Sequence, residues 1–243
     1  MRLSACLLTF NEERWIDLCI EHMYPYVDEI LIMDGGSTDR TIQILKKYNK
    51  VKYYVIPQPD TGRCGFGWNE GDRRNLLEDA AKGEWIFVLG CDELLDDMVW
   101  QHLDNMLTDD SVVGWGFYRI NYYYSFDYHK PIHQPANGGE VRIYRRNLGM
   151  KWEDNQNDHV FVRYDGKRLY DHPSVINTKW LIHHMHRVGI RGYLPVHDRR
   201  NKDAAKITED YVIKNKFYKT KDNKYFRPIK LPTILYDKGI IDD

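Results

Sequence analysis

Ile32-Met33-Asp34-Gly35-Gly36-Ser37-Thr38-Asp39-Arg40-Thr41 passes from an apolar run, through turn formers, into a helix start. The apolar side, Asp28 to Met33 (DEILIM), reads as a buried strand. The paired glycines allow the backbone to approach a ligand closely. Thr38 or Asp39 is the expected N-cap of a helix over Thr41 to Lys47, with Ile42 and Leu45 as its apolar positions. On this reading Ser37, Thr38 and Asp39 do no more than cap. A strand that ends in such a turn and hands over to a helix is the repeating unit of an α/β sheet.

The unit recurs on both sides. Leu3 to Thr9 is an apolar run ending near Asn11, and Glu12 to Met23 has helical spacing through Trp15, Leu18, Cys19 and His22. Val51 to Ile56 reads as a third strand, Asp72 to Ala81 as a helix and Glu84 to Leu89 (EWIFVL) as a fourth strand. Strands separated by helices of this length predict an α/β fold with a mostly parallel central sheet and helices on both faces. Such sheets hold ligands beyond the carboxyl ends of their strands. Thr9 to Glu13, Asp34 to Asp39 and Gly90 to Glu93 are therefore expected along one rim.

The texture changes after Asp110. Val112 to Tyr124, Glu140 to Arg145 and Trp180 to Val188 read as antiparallel strands, a smaller region beside the parallel sheet. Ser125 to Gly139, with two prolines, two histidines and two glycines, reads as a mobile loop, and a lysine- and tyrosine-rich tail begins at Asn201.

Composition sets outer bounds. The 243 residues carry 35 Lys and Arg against 36 Asp and Glu, so no global field draws the chain to nucleic acid or anionic lipid. Cys6, Cys19, Cys64 and Cys91 form no CxxC pair, which predicts a reduced, cytoplasmic protein. The opening MRLSACLLTFNEE lacks a signal-peptide cleavage pattern. No apolar stretch approaches the ~20 residues needed to span a bilayer, so membrane contact is expected to be peripheral at most.

Three strand ends carry matched polar groups: Thr9-Phe10-Asn11-Glu12-Glu13, Asp34-Gly35-Gly36-Ser37-Thr38-Asp39-Arg40-Thr41 and Gly90-Cys91-Asp92-Glu93. With Arg74-Asn75 between the second and the last, these resemble the motifs of glycosyltransferase family 2. That family shows a T-[FY]-N-E-E turn, a D-[DG]-[GS]-S-x-D-x-T turn, an R-N helix and a D-x-D-E motif in the same order. The resemblance implies a GT-A fold and transfer of a sugar, with inversion, from a nucleotide diphosphate-sugar (a UDP-sugar first) to an acceptor hydroxyl. It implies one domain over residues 1–243, with a nucleotide-sugar half at 1–110, an acceptor half at 111–200 and a tail at 201–243.

Residue by residue, the resemblance assigns nucleotide contacts to Thr9, Asn11, Glu13, Asp34 and Gly36, and a diphosphate contact to Arg74. Adjacent Arg73 reads as a surface charge. Asp92 and Glu93 are the expected ligands of a divalent metal, Mn or Mg, which would neutralise the diphosphate leaving group. Gly90 departs from the pattern, because the family places an aspartate there. GT-A enzymes often bring a late histidine to the metal or diphosphate, and His184 and His186 share one face of a strand in Leu181 to Arg187. Asp96 and Asp97 read as caps of the following helix. The catalytic base expected from the register is Asp158, with Glu153 and Asp154 as rivals.

Two other readings remain open at this level. One is a catalytically inactive GT-A nucleotide-binding module, motivated by Gly90. The other, a nucleotidyltransferase, is disfavoured by FNEE where a glycine-rich basic turn is needed. The acceptor is open among polysaccharide, lipooligosaccharide, glycoprotein and modified base. The tail could meet a lipid-linked acceptor or pair with a second copy of the chain.

Overall fold

The computed structural model describes residues 2–57, 70–129, 140–154, 160–188, 218–219 and 230–241. The first half alternates β1 (Leu3–Thr9), α1 (Ile16–Met23), β2 (Glu29–Asp34), α2 (Thr41–Leu45), β3 (Val51–Val55), α3 (Glu70–Ala80) and β4 (Trp85–Val88). Then follow β5 (Glu93–Leu95), α4 (Asp97–Thr108), β6 (Gly114–His129) and β7 (Glu140–Arg145). The remainder comprises β8 (Lys151–Asp154), β9 (Val160–Tyr164), β10 (Lys167–Arg168), β11 (Val175–Val188), β12 (Tyr218–Lys219) and α5 (Thr233–Asp237).

Strands from both halves share one sheet in the order β3-β2-β1-β4-β7-β6-β11-β5, with β12 beside β6, and β8 to β10 form a small antiparallel sheet. Strands β3, β2, β1 and β4 are mutually parallel. Their two faces are separated by side-chain alternation. Leu3, Ala5 and Leu7 of β1 join Ile30, Ile32, Trp85 and Phe87 under α1, α2 and α4. Cys6, Leu31, Met33, Ile86 and Val88 face the other way, onto Leu77 of α3 and Val162 of the small sheet. Strands buried on both faces need the continuous apolar runs seen in β1, β2 and β4. Cys6, Cys19 and Cys91 are buried free thiols.

Three expectations are corrected. The late strand is not antiparallel throughout: β11 runs parallel to β6 and antiparallel only to the short β5. Parallel neighbours need a crossover connection, and β7 to β10 supply it between β6 and β11. Residues 125–129, expected in a loop, complete β6, while 130–139 lie outside the described residues. The caps also differ. Arg40 occupies the N-cap of α2, although Asp39 Oδ1 still accepts the Thr41 N–H at 2.9 Å. Asp96 occupies the N-cap of α4, but its carboxylate is engaged elsewhere.

Beneath α4, His22 Nε2 lies 2.9 Å from both the Trp100 indole nitrogen and the Leu95 carbonyl oxygen in a buried setting. Burial pushes the imidazole pKa down to about 4. The unfolded chain therefore binds a proton that the folded state refuses, and His22 contributes stability above pH 6.5 that is lost as pH falls toward 4. The expected loss across that window is on the order of 3 kcal/mol. Urea denaturation at stepped pH should show this slope, and His22→Gln, which keeps an acceptor for Trp100, should flatten it.

Candidate active site

The register of the parallel strands sets Thr9 beside Asp34, and Asp34 beside Val55, at one end of the sheet. The turns that follow β1 and β2 are clasped together. Asn11 adopts φ 55° and its Oδ1 accepts the Thr38 N–H at 2.8 Å, while the Asn11 N–H donates to Ser37 Oγ at 2.8 Å. Asp39 Oδ2 accepts the Glu13 N–H at 3.0 Å, and Glu13 Oε2 accepts the Arg40 N–H at 3.0 Å and its Nε–H at 3.1 Å. These bonds from Arg40 hold the Glu13 pKa below its ordinary value. Ser37 and Thr38 thus brace the neighbouring turn instead of capping a helix.

Asp34 is fully buried, with Oδ1 accepting the Gly36 and Ser37 N–H groups at 2.8 and 2.7 Å and Oδ2 accepting the Ser37 hydroxyl. Gly36 has φ +90°, a torsion that favours glycine, and a Cβ there would press on Pro57 Cα at 3.3 Å. Asp34 and Gly36 therefore shape the turn, and the exposed polar edge of this rim comes from Asn11 and Glu13.

Arg73, expected as a surface charge, and Arg74 lie in different settings, and neither is a solvated surface charge. Arg73 is buried, donates to the Ile56 carbonyl at the end of β3, and feels the Asp34 carboxylate; burial pushes its pKa down to about 10 against that attraction. Arg74 points to the small sheet. Its guanidinium lies 4.7 Å over the Trp152 ring and donates twice to Glu70 Oε1, at 2.9 and 2.7 Å. Asn75 completes the join, bonding both the N–H and the carbonyl of Trp152 at 2.9 and 3.1 Å.

The turn after β4, at the same end as the turn after β1, meets strand β11. His184 stands opposite Glu93 across β5 and opposite Asn121 across β6, and the Met185 N–H donates to the Asp92 carbonyl at 2.8 Å. His184 Nε2 lies 3.1 Å from Asp92 Oδ2, and its Nδ1 lies 2.6 Å from Asn121 Oδ1. Burial works to lower the His184 pKa, but Asp92 and then Glu93 outweigh it and hold the pKa above its ordinary value. His186 falls on β11 with its side chain outside the described residues, as does Asp158 entirely.

Glu93 does not join that pair. Oε1 accepts from Arg142 at 3.0 Å and Oε2 accepts the Gly90 N–H at 2.7 Å. Arg142 also donates to Glu140 Oε2 at 2.7 Å, and Arg119 lies 3.3 Å from Glu140 Oε1. Glu153 lies on β8 and pairs with Arg163 at 2.6 Å at the surface, and Asp154 ends the same strand.

Sequence reasoning missed Arg119, Asn121, Glu140 and Arg142 as a set. The available signal was polar residues at alternate positions within β6 and β7, where period two places them on one face. It also missed the use of Asp96. His183 is buried and opposes His184; its Nε2 lies 3.0 Å from Asp96 Oδ1 and its Nδ1 lies 2.8 Å from the Tyr122 hydroxyl, while Asp96 Oδ2 accepts the Leu181 N–H. A carboxylate at Nε2 makes that nitrogen the donor and leaves Nδ1 to accept from Tyr122.

The profile described as "Glycosyl transferase family 2" matches residues 4–176, which include all three strand-end turns. The chain belongs to glycosyl transferase family 2. Among curated members, the lipopolysaccharide core biosynthesis glycosyltransferase LpsC of Rhizobium meliloti is 30% identical over 168 residues, 68% of this chain and 58% of LpsC. The poly(ribitol-phosphate) beta-N-acetylglucosaminyltransferase TarS of Staphylococcus aureus is 27% identical over 101 residues, 40% of this chain and 17% of TarS. The chain thus spans little more than half of one curated family member and a small part of the other.

The crystal structure of S. aureus TarS superposes with a TM-score of 0.50 at 18% identity, over 76% of this chain and 36% of that one. A TarS 1–349 structure in complex with UDP gives 0.50 at 17%, over 75% and 60%. At these identities the likeness shows the shared GT-A fold. Among the described residues of this family 2 chain, no helix is long and apolar enough to cross a membrane.

Proposed function

We propose that the chain transfers a sugar from a nucleotide diphosphate-sugar, a UDP-sugar first, to an acceptor hydroxyl. The observation that carries this reading is that the clasped Asn11–Glu13 and Asp34 turns follow β1 and β2, and the Asp92 that meets His184 follows β4, at the carboxyl ends of three mutually parallel strands. Membership of family 2 and the names and UDP complex of its relatives support it.

The pair suits a divalent cation, Mn or Mg. Asp92 Oδ2 and His184 Nε2 are 3.1 Å apart. That separation is about what two adjacent ligands subtend at metal–ligand distances of ~2.1 Å. Among the described residues no group of three or more His, Cys, Asp and Glu is arranged for a metal. A two-ligand protein site fits a cation whose other positions go to diphosphate and water. Such a cation, when bound, neutralises charge on the departing diphosphate.

The chain's own groups do the rest. Asn121 holds the His184 ring toward Asp92, and the clasped turns hold the exposed Asn11 and Glu13 edge for the nucleoside. Arg73, close to Asp34, is the cation of α3 placed beside that turn. A carboxylate in the acceptor region, assigned here to Asp158 with Glu153 and Asp154 as rivals, takes the acceptor proton as the new bond forms with inversion at the sugar carbon.

The second reading, a nucleotide-binding module without transfer, rests on Gly90. Calorimetric titration with UDP, GDP, CDP and dTDP, each with manganese or chelator, tests the main proposal. Micromolar binding to UDP that collapses with chelator is expected. No binding to any nucleotide would sink both readings of the rim, and binding without turnover of any donor would favour the module.

A further inference from the structure

Arg119 is the loosest member of the charge cluster beside His184. Its guanidinium lies 3.3 Å from Glu140 Oε1 and 4.0 Å from Glu93 Oε1, and its Nε is buried with no hydrogen-bond partner. Arg142, by contrast, bonds Glu140 Oε2 at 2.7 Å and Glu93 Oε1 at 3.0 Å. The cluster is graded. Glu93 and Arg142 form its floor, with side chains 5% and 13% exposed, while Glu140 and Arg119 reach solvent at 21% and 30%. Two guanidiniums face two carboxylates, so these four side chains carry no net charge.

The cluster lies next to the proposed cation site. Arg119 and Asn121 are two apart on β6 and share a face, and Asn121 is the residue that meets His184. His183 and Tyr122 look the other way, into the buried network with Asp96. Strand order runs β2-β1-β4-β7-β6, so the clasped nucleoside turns lie on one side of β4 and Glu140 and Arg119 on the other. A diphosphate held at Asp92 and His184 would carry its nucleoside to the first side and its sugar to the second.

Resting on that donor reading, we infer that Arg119 and Glu140 form the subsite that reads the hydroxyls of the donor sugar. A hydroxyl both donates and accepts, whereas a carboxylate only accepts and a guanidinium only donates. Set side by side, the two match a pair of neighbouring sugar hydroxyls. A neutral ligand suits a cluster whose own charges already cancel, and a phosphate there would face the carboxylates of Glu93 and Glu140. Arg142 fixes Glu140 from the buried side, so the acceptor geometry is set before the sugar arrives. A site built to hydrogen-bond hydroxyls discriminates against donors that lack one or invert it.

Two measurements on the full chain test this. Calorimetric titration with manganese compares UDP with UDP-glucose, UDP-galactose and UDP-N-acetylglucosamine. Glu140→Gln and Arg119→Gln should bind UDP within about twofold of wild type, yet weaken the UDP-sugar that the wild type binds most tightly by about tenfold. Equal losses for UDP and the UDP-sugar would place the pair on the diphosphate or in the fold alone, and would overturn the inference. So would no loss for either.

The second measurement is kcat/KM for the same three donors. The spread between the best and the worst should narrow by about tenfold in Glu140→Gln, whereas a uniform fall would mark a purely structural role and overturn the subsite. The binding comparison needs no turnover, so it decides the point for a binding module as well. A wild type that binds no nucleotide would remove the donor site, and with it both the proposed function and this subsite. A wild type that binds UDP, with variants that treat all donors alike, would remove the subsite only.

Discussion

Asp92→Asn is expected to lower sugar transfer by at least about 100-fold while leaving the fold intact. The substitution keeps the side-chain volume, so the turn between β4 and β5 has no new void to fill. What disappears is the negative charge, 3.1 Å from His184 Nε2, and with it an anionic ligand for a divalent cation. Binding energy of this kind matters most as charge develops on the leaving diphosphate, so turnover should fall more than donor affinity measured through KM. Product formation from UDP-sugars, compared with the melting temperature of the same preparation, checks it. Turnover within a factor of a few of wild type would refute the assignment of Asp92.

Arg142→Ala is expected to cost about 3–5 kcal/mol of stability. Arg142 is 13% exposed and bonds two carboxylates, Glu93 at 3.0 Å and Glu140 at 2.7 Å. Removing it leaves both on Arg119, which is 3.3 Å from Glu140 but 4.0 Å from Glu93. The loss comes chiefly from stranding acids in a poorly hydrated place, not from the attraction given up. A surface pair gives the contrast. Arg2 and Asp104 meet at 2.5 Å with side chains 52% and 83% exposed, and Arg2→Ala should cost no more than about 1 kcal/mol through that pair. Urea denaturation of both variants measures the difference, and a loss below about 1 kcal/mol for Arg142→Ala would show that water reaches the cluster freely.

Much of the architecture was legible in local pattern. Leu3–Thr9 and Glu140–Arg145 have the boundaries read from sequence, and Glu29–Asp34, Val51–Val55 and Trp85–Val88 differ by a residue or so at their ends. The polar turns after β1, β2 and β4 were expected on one rim, and the first two lie side by side there. The roles within that rim were harder to read. Arg73 and Arg74 are adjacent on α3, and only the placement of the helix between β3 and β8 turns one toward Asp34 and the other onto Trp152. Asp96 looks like a cap because it precedes a helix, yet β11 arrives beside it and takes its carboxylate for His183 and Leu181.

The sequence by itself determined the alternating strands and helices of the first half and which of their faces are apolar, and its polar turns resemble those of glycosyltransferase family 2. The strand and helix pattern follows from side-chain periodicity and turn chemistry, which act over a few neighbouring residues. The tertiary structure alone decided that β11 lies parallel to β6, that His184 meets Asp92, and that Glu93 is held by Arg142. Each of these joins groups far apart in the chain. Several carboxylates and several cations were equally eligible partners until sheet register fixed which ones share a buried face, where an unpaired charge is costly.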